Sequence, residues 1–342
     1  MNKSTLAVVA VLTVVEVGAL GGGLLYSYKS APATNAPGAS SGASSSPQSG
    51  TTANTPDGAK AATTQPKAPA ATVAAELTER LRTLCAGARG DVGVAVIHVE
   101  SGQTAAVEAT KPLPLYSVFK LPLAITVLRQ VAAKKLSLEQ KVSVTPDDVA
   151  PGSQFNTDLW RRPVEKTVAE LLEFSIVRSD NTSSDKLLQL VGGPAGVTEQ
   201  MRALGFAQLD IKYTTREFAA HRDKPNTGTA SDLAQLLAKL QQGELVQPSS
   251  LAMLLGFMER SMTGGERRLR ADLPPGTKVA DKTGSGEPGS STNDVGLITL
   301  PDGKGHLAIA VLVSRSKLTV AEQEKLIAQL ARAAYDAYVG GN

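Results

Sequence analysis

A chain of 342 residues with 42% apolar side chains can build one large core or two average ones, and its single cysteine, Cys85, excludes an intramolecular disulfide and a cysteine-rich metal site. A formal net charge of +3 with no basic tract excludes the electrostatic footprint of a nucleic-acid binder. Three scattered histidines, His98, His221 and His306, give no metal-ligand spacing, so no metal or other cofactor is expected.

In chain order, Lys3 precedes an apolar run from Leu6 to Tyr26, interrupted by Glu16 and by Gly21-Gly22-Gly23. At about 1.5 Å per residue, a helix over that run just crosses a bilayer core of ~30 Å. Residues 1–29 therefore read as an export segment, an uncleaved tether in preference to a cleaved signal peptide. No cysteine follows the run, which excludes a lipoprotein anchor. Residues 30–72 are Ala, Ser, Gly, Thr, Pro and Gln with almost no large apolar side chain. Such a segment cannot bury enough surface to offset its ordering entropy, and a disordered linker is predicted. The folded part then runs from residue 73 to residue 342.

Within it, Val73 to Ala86 has helical periodicity, with Cys85 as a buried, inert thiol. Asp91 to Val99 and Thr104 to Glu108 read as strands joined through the Ser101-Gly102 turn. A helix starts at Ser117 and continues through the apolar run Leu121 to Leu128. Further helices are predicted over Val164 to Ile176, Ser183 to Val191, Pro194 to Leu204, Ser231 to Gln241 and Ser249 to Ser261. Strands return at Lys278 to Lys282, Asp294 to Thr299 and Leu307 to Ser314, and Val320 to Tyr338 closes the chain as an amphipathic helix. His98 and His306 fall in strand-like runs and read as structural. Strands at both ends with helices between imply an α+β fold: one antiparallel sheet assembled from distant segments, plus a helical subdomain. A cleft would lie between the two halves.

Three short motifs lie along that frame. Ser117 and Lys120 stand three apart, so on a helix they share a face and the amine can reach the hydroxyl. A helix start also offers unpaired backbone N–H groups to a developing oxyanion. Ser179-Asp180-Asn181 sits on a loop between helices, where its other role is to cap the helix beginning near Ser183. Lys282-Thr283-Gly284 ends a strand and is followed by Ser285-Gly286, which alone would signify only a glycine turn. Each motif separately is cheap. Their order, on a helix, a loop and a strand, is the placement expected of penicillin-recognising serine enzymes.

From Val73 to the C-terminus the chain resembles the class A serine β-lactamases, with a five-stranded antiparallel sheet flanked by helices and an all-helical subdomain. The resemblance implies that Ser117 is the acylated nucleophile and that Lys120, in contact with it, is or assists the base. Ser179 would pass the proton to the departing lactam nitrogen, and Asn181 would bind the substrate's side-chain amide. Lys282 and Thr283 would hold the substrate carboxylate and tune Ser179 electrostatically, with Gly284 and Ser285 also lining the substrate site, and the N–H groups of Ser117 and Ser285 would form the oxyanion hole. Deacylation needs a further base, and Glu217 lies at the expected distance between the second and third motifs. Usual members have Asn four residues after that Glu; here His221 stands there, as in one branch of class A, and Thr292-Asn293-Asp294-Val295-Gly296 resembles the same branch. Many members carry an Arg on the strand near Ser291; here Arg268 falls where others supply a substitute guanidinium from a helix. Otherwise Arg267, Arg268 and Arg270 would be a solvated helix face.

The resemblance implies hydrolysis of penicillins or cephalosporins by a monomer, exported to the periplasm and touching the membrane only through residues 6–26. A penicillin-binding D,D-peptidase shares the three motifs but lacks Glu217. A Ser-His-Asp hydrolase is disfavoured because no histidine follows a nucleophile elbow.

Overall fold

The computed structural model describes residues 70–152, 159–221, 224–287 and 290–340, so the expected N-terminal export segment and most of the expected linker lie outside the described residues. Among the described residues no helix is long and apolar enough to cross a membrane. Helix α1 (Ala70–Ala86) leads into β1 (Asp91–His98) and β2 (Thr104–Val107), which pair antiparallel. The chain returns to this sheet only at its end, through β7 (Val279–Ser285), β8 (Ser291–Thr299) and β9 (His306–Ser314). The sheet order is β2-β1-β9-β8-β7, antiparallel throughout, as the split distribution of strands predicts. Its last edge, β7, carries the third motif.

Alternation along the strands divides two cores. Val92, Val94 and Val96 of β1 and Ile309, Val311 and Val313 of β9 face α1 and the closing helix α9 (Val320–Val339), whose Ile327, Leu330 and Ala334 are buried. The opposite residues of β9, Ala308, Ala310 and Leu312, face the helical half. Both faces being covered, β9 is apolar almost from end to end rather than alternating with polar residues.

The helical half is built on α2 (Lys120–Ala132), buried at every position from Lys120 to Leu128. A helix apolar on all sides belongs at the centre of a bundle. Around it stand α3 (Val168–Val177), α4 (Asn181–Leu190), α5 (Gly193–Ala203), α7 (Ala230–Gln241) and α8 (Pro248–Glu259). The four-residue α6 (Thr215–Phe218) sits in the loop between α5 and α7. Two small ladders complete the unit: β3 (Leu113–Pro114) with β6 (Thr227–Gly228), and β4 (Lys141–Val144) with β5 (Val164–Thr167).

The structure corrects three boundaries. Val164 to Ile176 is a strand and then a helix: Thr167 and Glu170 form a capping box that starts α3 at Val168, which frees Val164–Thr167 to pair with β4. Strand β7 runs on through Ser285, and β8 begins at Ser291, because the two pair in register as far as Ser285 with Thr292. Cys85 is half-buried, with burial pushing its thiol up to about 11.

Candidate active site

Ser117 lies in a single 3₁₀ turn, Tyr116–Phe119, and α2 begins at Lys120. The preceding residue, Tyr116, has φ of +46°, a left-handed conformation costly for a side chain of this size. It is held by its surroundings: the ring meets Phe218 of α6 edge-on at 5.8 Å between centroids and lies against Gly286. Leu115, two residues before Ser117, donates its N–H to the Asn226 carbonyl at 2.9 Å.

Lys120 is fully buried, and its amine is held by the second motif. Nζ donates to the Ser179 carbonyl at 2.5 Å, to Asn181 Oδ1 at 2.7 Å and to Ser179 Oγ at 3.1 Å. Among the described residues no hydrogen bond joins Lys120 to Ser117. Two of the three acceptors can only accept, whereas the Ser179 hydroxyl can accept or donate. A proton can therefore pass between Lys120 and Ser179 without the heavy atoms moving. Burial pushes the Lys120 amine well below its ordinary value, helped by the Lys282 charge and opposed by Asp180 and Asp185.

Ser179 is also left-handed, with φ of +53°. Asp180 explains how the loop holds that shape: its Oδ1 caps α4 through the Ser183 N–H at 2.7 Å, and its Oδ2 accepts from Trp160 Nε1 at 3.3 Å. On the other side Lys282 donates to Ser179 Oγ at 3.1 Å and to the Thr283 carbonyl at 2.9 Å. The Ser179 hydroxyl thus sits between two buried amines. Burial also lowers the Lys282 amine to about 8, with Asp281 and Asp294 opposing and Arg268 adding to the fall.

Strand β7 meets the Ser117 turn edge-on. Gly284 is needed there because a Cβ would lie 2.5 Å from the Leu115 carbonyl oxygen and 3.2 Å from the Val118 nitrogen. Gly286 spends its N–H on the Ser291 carbonyl across the ladder. Strand groups alternate, so Ser285 presents its N–H to the free edge, beside the Ser117 turn. Thr283 Oγ1 bonds the Thr263 carbonyl at 2.9 Å and Thr263 Oγ1 at 2.6 Å, tying this edge to the segment after α8.

Glu217 is exposed on α6, where Oε2 accepts the Thr214 N–H at 2.9 Å in a capping box. Its other oxygen has no hydrogen-bond partner among the described residues. The helix is anchored beneath by Asp185 of α4, which accepts the N–H groups of Thr215 at 2.7 Å and Arg216 at 3.0 Å; burial pushes its carboxyl up. Asn226 closes the loop around α6, accepting from the Lys212 and Tyr213 N–H groups and donating to the Tyr213 carbonyl. His221 stacks on Tyr213 at 4.8 Å and makes no side-chain hydrogen bond to Glu217 among the described residues.

Arg268 is 3% exposed, which removes it from any solvated face. It follows a 3₁₀ turn, Gly265–Arg267, rather than lying on a helix. Nε donates to Glu324 of α9 at 3.2 Å, Nη1 to the Asn293 carbonyl at 2.8 Å and Nη2 to Ser285 Oγ at 2.8 Å. Ser285 Oγ accepts from Arg268, which leaves its own O–H as a donor for another group. Arg267 is exposed and shares Glu324, while Arg270 pairs with buried Asp281. Among the described residues no group of His, Cys, Asp and Glu side chains is placed to hold a metal ion.

The structure thus brings Lys120, Ser179, Asn181 and Lys282 into one hydrogen-bonded cluster, with Ser117, Gly284 and Ser285 along its rim. Sequence reasoning missed Asp185 and Glu324, both buried acids. Glu324 left one trace, an acid next to the apolar stripe of the closing helix.

A serine at a helix start, a second serine held between two buried lysines and an edge strand beside them make the arrangement of a penicillin-recognising serine enzyme. The model of the β-lactamase enzyme family matches residues 76–338. The chain belongs to that family, as a class A serine β-lactamase. It is 34% identical over 273 residues to the extended-spectrum β-lactamase PER-1 of Pseudomonas aeruginosa, covering 76% of this chain and 86% of the relative. To β-lactamase VEB-1 of the same organism it is 30% identical, over 77% of this chain and 90% of the relative. The crystal structure of a β-lactamase from Chitinophaga pinensis superposes with a TM-score of 0.74 at 35% identity, covering 77% of this chain and 99% of that one. TLA-1 extended-spectrum β-lactamase does so with the same TM-score at 32% identity, over 78% and 99%.

Proposed function

We propose that Ser117 opens the β-lactam ring and that Glu217 directs hydrolysis of the resulting acyl-enzyme, with penicillins and cephalosporins, including the extended-spectrum kind, as substrates. The observation that carries this reading is the Ser179 hydroxyl held between the Lys120 and Lys282 amines at 3.1 Å each.

The substrate carboxylate meets Lys282, Thr283 and the hydroxyl of Ser285, and its side-chain amide meets Asn181. Ser117 Oγ attacks the lactam carbonyl, whose oxygen takes the N–H groups of Ser117 and Ser285. Such a donor supplies about 2.7–4 kcal/mol of transition-state stabilisation. The proton leaving Ser117 goes to Lys120 and on through Ser179 to the departing nitrogen; catalytic contacts of this kind tighten when substrate binds. Glu217, with one oxygen committed to Thr214 and the other without a hydrogen-bond partner among the described residues, takes the proton of a water that attacks the ester. His221 supports the loop through its stack on Tyr213.

The apolar run at residues 6–26 and the linker composition support action in the periplasm, tethered to the inner membrane.

The test combines a chromogenic cephalosporin with intact-mass spectra. Wild type should turn over continuously and Ser117→Ala should take no adduct. Glu217→Gln should burst and then accumulate acyl-enzyme, with turnover slowed at least ~10²-fold, the lower end of general-base effects. Normal turnover by Glu217→Gln would move the deacylating base elsewhere. A stoichiometric burst from wild type would indicate a penicillin-binding peptidase instead.

A further inference from the structure

Arg216 sits beside Glu217 on α6 and does something its exposed position does not suggest. One nitrogen of its guanidinium, Nη2, donates to two backbone carbonyls of a distant turn, Asp147 at 2.7 Å and Val149 at 3.1 Å. That turn is itself stitched to the second motif. The Pro151 carbonyl accepts from Asn181 Nδ2 at 2.6 Å, the Ala150 N–H goes to Thr182 Oγ1 at 3.0 Å, and Asp148 pairs with Lys186 of α4 at 3.0 Å. A connected path therefore runs from α6 through Arg216 and the turn to Asn181, whose Oδ1 holds the Lys120 amine.

We propose that Arg216 is a positioning residue for deacylation: it clamps α6 to the 147–151 turn and so fixes Glu217 relative to the acylating cluster. The proposal rests on the reading of Glu217 as the deacylating base. Its selectivity follows from where the groups lie. Every group assigned to acylation stands on the Ser117 turn, α2, the Ser179 loop or β7, and none on α6. Glu217 is the next residue after Arg216, on a helix of four residues too short to hold its own orientation. Asp185 secures the backbone of α6 from beneath, which leaves Arg216 to stop it rocking away from the cleft. The two N–H groups of this one nitrogen meet both carbonyls at once; a lysine amine has donors enough but sits on a shorter side chain without the planar fork, so it would hold the clamp only in part.

The experiment follows a slowly hydrolysed cephalosporin by burst kinetics and intact mass in wild type, Arg216→Ala, Arg216→Lys, Glu217→Gln and the Arg216→Ala/Glu217→Gln double variant. A displacement of a catalytic group by about 1 Å can cost 10²-fold, so Arg216→Ala should slow deacylation by about tenfold or more. Its burst rate constant should stay within about twofold of wild type, KM should fall together with kcat, and acyl-enzyme should accumulate. Arg216→Lys should recover part of the loss. The double variant should deacylate no more slowly than Glu217→Gln alone, because a clamp has no effect once its base is gone. Stalling in Glu217→Gln with wild-type deacylation in Arg216→Ala overturns this proposal alone. Equal losses of burst rate and steady-state rate in Arg216→Ala, or a further slowing in the double variant, overturn it as well by marking Arg216 as a general structural contact. Normal deacylation by Glu217→Gln removes the base itself, and the positioning role with it.

Discussion

Lys282 provides the sharpest pH test of the site. It is fully buried, and burial lowers its amine from the ordinary 10.5 to about 8. Only the charged amine attracts a substrate carboxylate. With one ionisation at about 8, roughly nine-tenths of Lys282 is charged at pH 7 and about 3% at pH 9.5, so kcat/KM should fall about thirtyfold between them. Lys282→Arg keeps its charge throughout this range and should lose or displace the alkaline limb, even though its absolute activity is lower. Stability moves in the opposite sense. Between about pH 8 and 10.5 the unfolded chain holds a proton that folded Lys282 has released, so this group's contribution to stability rises with pH across that window. Melting curves at pH 7 and 9.5 on wild type and Lys282→Arg therefore separate lost binding from unfolding. A kcat/KM profile flat to pH 10, or the same limb in Lys282→Arg, would refute the assignment of this ionisation to Lys282.

Two further substitutions probe the frame around it. Arg268→Ala removes one side of a buried pair with Glu324, which costs about 3–5 kcal/mol when the partner is stranded; with Arg267 still on Glu324, the melting temperature should report a loss near the lower figure. The same variant should lose about ten- to hundredfold in kcat/KM, mainly through KM, as the charge-assisted support of Ser285 disappears, and unchanged kinetics would limit Arg268 to a structural role. Gly284→Ala sets a Cβ 2.5 Å from the Leu115 carbonyl oxygen, so it should cost about 1–3 kcal/mol by overpacking and slow acylation by parting β7 from the Ser117 turn. A wild-type burst rate in that variant would show that the two edges need not meet.

The same residues show how far sequence alone could reach. Local chemistry and order were enough for the antiparallel sheet built from both ends of the chain, because alternation and turn residues are written within each strand. They were enough, too, for the three motifs, since serine, lysine and glycine at those spacings have few other joint uses. The division of Val164 to Ile176 was within reach, as Thr167 and Glu170 carry the signature of a capping box. What spacing could not supply was direction. Ser117 and Lys120 are neighbours in sequence, yet the Lys120 amine turns to Ser179 and Asn181, about sixty residues on, because those acceptors lie in the buried space its chain fills.

Long-range partners were equally silent. Nothing within the sequence around Arg268 points to Glu324, 56 residues later, and without that acid a run of three arginines reads as a solvated face. Asp185 and Arg216 likewise have unremarkable neighbours along the chain. They matter because the fold sets a buried carboxylate beneath α6 and two backbone carbonyls within reach of the Arg216 guanidinium. Sequence determined which groups can do the chemistry, since reactivity belongs to side chains. Tertiary structure decided which of them meet and which contacts hold α6 in place, because burial makes every unpaired polar group costly and so forces pairings that no local pattern encodes.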